Sequence, residues 1–166
     1  MTDNINTADD ATSNPQAPGD DALTRACVRH HLALGWWSLL TFLTLGVVLE
    51  ILHGTKSGWY LNISNETRRL MWTLAHAHGT LLALVHIAFA VSQNMIPDWI
   101  QARRRLASRS LTAAGLLIPG GFFFGGTQFY GGDPGPGILL LPAGAICLFV
   151  AVLLSAIAVS SKQHSG

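Results

Sequence analysis

Four long apolar runs separated by short polar ones organise this chain, at about 32–52, 70–93, 110–130 and 138–160. Each is near or above the ~20 residues that an α-helix needs to cross a bilayer core of ~30 Å. Glu50 is the one formally charged residue inside them. The pattern predicts an all-α membrane protein, with four transmembrane helices in an antiparallel up-down bundle, because short connections make successive helices antiparallel neighbours. Ahead of the runs, residues 1–22 hold Asp3, Asp9, Asp10, Asp20 and Asp21, no base and no apolar core. They read as a disordered acidic cytoplasmic tail, unable to bury enough apolar area to offset the entropy of ordering. Residues 23–162 then form the transmembrane domain and 163–166 a short C-terminal tail. No cleavable leader is evident in residues 1–22, so the first span is expected to be an uncleaved anchor.

The flanks of the runs refine this picture. Trp36 and Trp37 stand near the start of the first span, where indoles favour the membrane interface. Gly54 to Arg69 reads as a loop whose Trp59 and Tyr60 rest at the interface. Ser64 or Asn65 is placed to cap the next helix, with Glu66 in its first turn. Pro97-Asp98 opens a turn before Arg103, Arg104, Arg105 and Arg109, which read as a topological anchor meeting anionic headgroups or as a docking site for an anionic ligand. In the third span, Pro119 should kink the helix. Gly121 and Gly125 form a small-xxx-small pair suited to close helix approach, within the chain, in a homo-oligomer or in a larger membrane complex. Gly131 to Gly137 reads as a tight turn.

Composition agrees with the pattern. Charged residues are 11% of the chain, against roughly 25% in soluble domains, and the mean hydropathy is +0.37. A net charge of +1 argues against nucleic-acid binding; the lipid bilayer is the expected partner. With the N-terminus inside, Arg25, Arg29, the four arginines after the second span and Lys162 are cytoplasmic, leaving only Lys56, Arg68 and Arg69 outside. This bias predicts a multi-pass protein of the bacterial inner membrane with both termini cytoplasmic. Cys27 and Cys147 read as free thiols.

Candidate chemistry lies in the histidines. Three of the seven, His76, His78 and His86, fall in the uncharged second span. Imidazole in hydrocarbon is costly unless paired or facing a wet cavity. At ~100° per residue, His76 and His78 project about 160° apart and cannot chelate one ion from an unbroken helix. His78 and His86 are about 80° and about 12 Å apart, so they can share a face but not a metal. No H-E-x-x-H zinc arrangement is present, and any ligand set must combine helices. Depth matching allows an outer cluster of Glu50, His53, His76 and His78, and an inner pair of His31 and His86. Alternatively, each imidazole is satisfied by a carbonyl or by Thr41, Thr44, Thr73 or Thr80 on a packed helix.

Ala75-His76-Ala77-His78-Gly79, in the second of four short spans, resembles the Ala-His-x-Glu-Gly core of the hydroxylaminobenzene mutase family of small bacterial membrane proteins. His76 and Gly79 match, and His78 stands where that family has glutamate. The tyrosine- and asparagine-bearing part of the family's third span has no counterpart here. The resemblance implies a four-span fold and isomerase-like chemistry. The run from Trp72 to His78 is also similar to a histidine-bearing helix of haem-copper-type nitric oxide reductases.

Three functional readings follow. In the first, a histidine-lined intramembrane site binds or acts on a small molecule, with His76, His78 and Glu50 catalytic, since imidazole titrates near working pH. In the second, His31, His53 and His86 hold haem or copper in a redox or accessory subunit, neutral imidazole being a ligand for both. In the third, the protein is a membrane scaffold without chemistry.

Overall fold

The computed structural model describes residues 18–61, 66–96, 99–127, 129–130 and 132–160. The expectations for the acidic tail before Pro18, the cap at Ser64 or Asn65, the turn at Pro97-Asp98 and the C-terminal tail lie outside these residues. The elements, in order, are α1 (Pro18–Gly54), α2 (Gly58–Leu61), α3 (Glu66–Met95), α4 (Gln101–Gly125), the two-residue strands β1 (Phe129–Tyr130) and β2 (Asp133–Pro134), a 3-10 turn (Pro136–Leu139) and α5 (Leu140–Ser160).

Among the described residues, three helices are long and apolar enough to cross a membrane: Ala22–Gly54, Glu66–Met95 and Pro136–Ser160. This makes the chain an all-α protein compatible with integral membrane insertion. α4 is not one of the three. Its glycines, Pro119 and the arginines of its first turns dilute the apolar content, although its 25 residues would extend about 37 Å at ~1.5 Å per residue.

α1 is longer than the first apolar run, with 37 residues. It begins at Pro18, inside the segment expected to be tail. In the expected loop after α1, the single turn α2 buries Tyr60 while leaving Trp59 exposed. Tyr60 is therefore a packing residue rather than an interface anchor. The arginines expected before the third span lie within α4. Arg104 is buried, donating to the Thr24 hydroxyl and to the Trp99 carbonyl. It joins α4 to the start of α1 instead of meeting headgroups; Arg103, Arg105 and Arg109 remain exposed.

α4 runs through Pro119 without interruption and stops at Gly125, short of the expected Tyr130. The chain then turns back, with Phe129 paired to Pro134 and Tyr130 to Asp133. Gly132 holds a φ of +95° in this turn, a conformation that side-chain-bearing residues avoid.

The main packing pairs are α1 on α3, α3 on α4 and α4 on α5. α3 and α4 are thus the inner helices. On α3 the buried residues include Met71, Ala75, Gly79, Leu82, His86 and Phe89, a stripe at three- and four-residue steps. Small residues set the close approaches. Gly35 lies against Ile87, Gly79 against the Phe42 ring and Gly46 against the His76 ring. Later positions on α1 meet earlier positions on α3, so the two helices run in opposite directions. Gly144 against Ile118 and Gly121 against Leu141 show the same for α5 and α4. Gly121 and Gly125 are both buried, the first beneath Leu140 and Leu141 and the second near Ile138, Met71 and Pro134. Their close-approach surface is filled from within the chain. Trp36, Trp37, Leu40 and Val47 on α1, and Ile146, Phe149 and Val152 on α5, face outward.

Candidate functional site

Two histidine centres flank the α1–α3 contact, one at each end. At the first, Nδ1 of His31 and Nδ1 of His86 are 2.7 Å apart in a buried hydrogen bond. The ring planes are inclined by 24° with centroids 4.9 Å apart, so the rings meet edge to edge through this bond. His31 Nε2 lies 2.8 Å from the Ser108 hydroxyl on α4, and His30 Nε2 lies 3.4 Å from the Thr112 hydroxyl. Phe89 meets the His31 ring edge-on. The pair is closed: His31 is 0% and His86 3% exposed, and a Cβ on Gly115 would stand 2.7 Å from His86 Nε2.

This geometry limits the chemistry. One hydrogen occupies the space between the two Nδ1 atoms, so one ring donates and the other accepts. While the contact holds, both rings cannot be imidazolium, because two N–H groups would then face each other. Two arrangements of neutral rings satisfy these contacts: His31 donates from Nδ1 while Ser108 donates to its Nε2, or His86 donates from Nδ1 while His31 Nε2–H donates to Ser108. Passing from one to the other requires His31 to gain a proton at Nε2 and His86 to lose one there, so the arrangement by itself holds one proton between the rings. It does not suit a metal between the rings: two imidazoles on one ion each stand ~2.0–2.1 Å from it, which separates tetrahedral ligand atoms by more than 2.7 Å. Among the described residues, no group of three or more His, Cys, Asp or Glu residues is arranged to hold a metal ion.

The second centre is open. A groove of about 710 Å³ between α1 and α3 is lined by Glu50, His53, Tyr60, Arg69, Thr73 and His76, with Glu66 at its edge and Leu43, Val47 and Leu70 as apolar wall. The spacing explains the convergence. Leu43, Val47 and Glu50 follow one face of α1, and Glu66, Arg69, Thr73 and His76 one face of α3, all at three- and four-residue steps. His76 Nδ1 donates to the Phe42 carbonyl at 2.7 Å. That bond fixes the tautomer of a neutral ring and leaves Nε2 as an acceptor. Glu66 and Arg69 form an ion pair at 3.8 Å.

The expected outer cluster is therefore brought together only in part. Glu50, His53 and His76 share the groove, whereas His78 leaves the opposite face of α3. Its Nδ1 donates to the Leu74 carbonyl at 2.9 Å, and its ring lies against Phe122. It lines a separate apolar groove of about 510 Å³ with Ile118, Leu141 and Leu148. The reason is angular: two residues of helix turn the side chain through most of a half-circle. The inner pairing of His31 with His86 is present, and the structure adds Ser108 of α4 to it, with Thr112 one turn further along meeting the neighbouring His30. The threonines proposed as histidine partners on α1 act otherwise: Thr41 and Thr44 donate to the Trp37 and Leu40 carbonyls of their own helix.

Beside the groove, Arg68 lies over the Trp59 ring, 4.5 Å from its centroid, and donates to the Gly126 carbonyl. Trp72 donates to the Phe123 carbonyl at 3.1 Å. These contacts tie α2, α3 and the end of α4 together beside the groove. Comparison with known proteins finds no matching family model, no similar curated protein and no similar solved structure.

Proposed function

We propose that this chain is a four-span integral protein of the bacterial inner membrane that binds a small molecule in the groove between α1 and α3. The observation carrying the reading is the convergence of a carboxylate and two imidazoles, Glu50, His53 and His76, on one groove between otherwise apolar helices. Intramembrane ionisable groups are expensive and ordinarily serve a ligand or proton path. His76, oriented by the Phe42 carbonyl, offers Nε2 as a general base, and Glu50 is the second proton carrier. This pair would suit proton-shifting, isomerase-like chemistry on the bound molecule.

Packing supports a reading of four crossings rather than three. α3 and α5 each oppose α4 and so run in the same direction. If both span the bilayer, α4 is the element that returns the chain between them. With the arginines of α1 and α4 at the His31 end, that end faces the cytoplasm and so do both termini.

The test is native mass spectrometry of the protein released from lipid nanodiscs. A small molecule should accompany the wild-type chain and be lost from His76→Ala and Glu50→Gln variants that express and fold normally. Retention of the same adduct in both variants would contradict the assignment.

A further inference from the structure

We propose that the ligand of the α1–α3 groove is an organic cation: an amine or ammonium group carried on an apolar body. This inference rests on the groove being a ligand site, as set out above, and adds the charge of what it takes. The lining holds three formally charged side chains, Glu50, Glu66 and Arg69. Glu66 and Arg69 neutralise each other at 3.8 Å. Glu50 has no ion pair or hydrogen bond among the described residues. One negative charge therefore remains in the groove. The hydrogen-bonding pattern points the same way. The carboxylate of Glu50 accepts, and so does the neutral form of His76, at Nε2, because Nδ1 is spent on Phe42. A ligand meeting both must donate, as an ammonium group does and a carboxylate or phosphate does not. Leu43, Val47 and Leu70 supply the apolar wall for the rest of the molecule. Arg68 is not among the lining residues; its guanidinium lies over Trp59 and donates to the Gly126 carbonyl.

Cysteine labelling in nanodiscs tests the claim on the full chain. In a Cys27→Ser, Cys147→Ala background, Thr73→Cys places a thiol in the groove, and Leu70→Cys gives a second reporter should the first fail to fold. Three methanethiosulfonates are compared: the neutral methyl, the cationic trimethylammonioethyl and the anionic sulfonatoethyl reagents. The methyl reagent should modify the thiol in the folded protein. The ratio of cationic to anionic rate should fall about tenfold on Glu50→Gln, the order of effect of one charge a few ångströms away at intermediate dielectric. If the methyl reagent reacts but Glu50→Gln leaves the ratio unchanged, the groove stands and the cation assignment is overturned. If the methyl reagent modifies both reporter thiols only after unfolding, there is no open groove, and the ligand-site reading falls together with this one.

Discussion

At one end of the α1–α3 contact, His31 and His86 are sealed against each other; at the other, Glu50, His53 and His76 stand around open space. Both centres are built from the same two helices and the same residue type, and what separates them is the third neighbour. At the His31 end, α4 supplies Ser108 as a partner and Gly115 as a flat surface against the ring. At the Glu50 end, the groove is lined from α1, α2 and the first half of α3, with α4 contributing no wall. A histidine enclosed on all sides is satisfied by protein and can only hold or pass a proton. A histidine left with one free nitrogen at an open face can also meet a ligand.

The contrast is sharpest in stability. His86→Ala removes a buried ring and leaves His31 Nδ1 without its partner, at a combined cost of ~3 kcal/mol or more. His76→Ala, at the half-buried open centre, should cost about 1 kcal/mol, the worth of one hydrogen bond. The double replacement His31→Leu, His86→Leu should recover part of the loss, because no buried imidazole nitrogen is then stranded and only the Ser108 hydroxyl loses its partner. Reversible unfolding in mixed micelles measures all three, and equal losses for His86→Ala and His76→Ala would remove the distinction.

A smaller effect is expected from the glycine that closes the sealed centre. Gly115→Ala puts a methyl group 2.7 Å from His86 Nε2, and the crowding should cost ~1–3 kcal/mol. Gly120→Ala, five residues further along α4, meets nothing within 4 Å. That change should be neutral or stabilising by up to ~1 kcal/mol, since alanine is the better helix former. Thermal melts of the two variants check the ordering.

Much of this arrangement is legible in the sequence. The apolar runs mark the long helices, and rotation per residue already separates His76 from His78. Depth matching pairs His31 with His86. Rotation alone does not tell which neighbour each face meets, so His78 is wrongly gathered into the outer cluster. Ser108 hides among arginines that read as a polar connection, because charge at the start of α4 masks its helical continuity. Arg104 is misread for the same reason: a single arginine turned inward looks like its exposed neighbours until Thr24 and Trp99 are found beside it. Glu66, Arg69, Thr73 and His76 repeat at helical steps, but the first turn of α3 lies outside the apolar run, so the pattern of apolar positions alone does not mark this face.

Magic-angle-spinning NMR of histidine ring nitrogens in lipid tests the separation of the two centres most directly. A through-hydrogen-bond correlation is expected between the Nδ1 atoms of His31 and His86, with slow exchange of that hydrogen with water. For His76, no nitrogen–nitrogen correlation and fast exchange are expected. Independent signals from His31 and His86, exchanging as fast as His76, would contradict it.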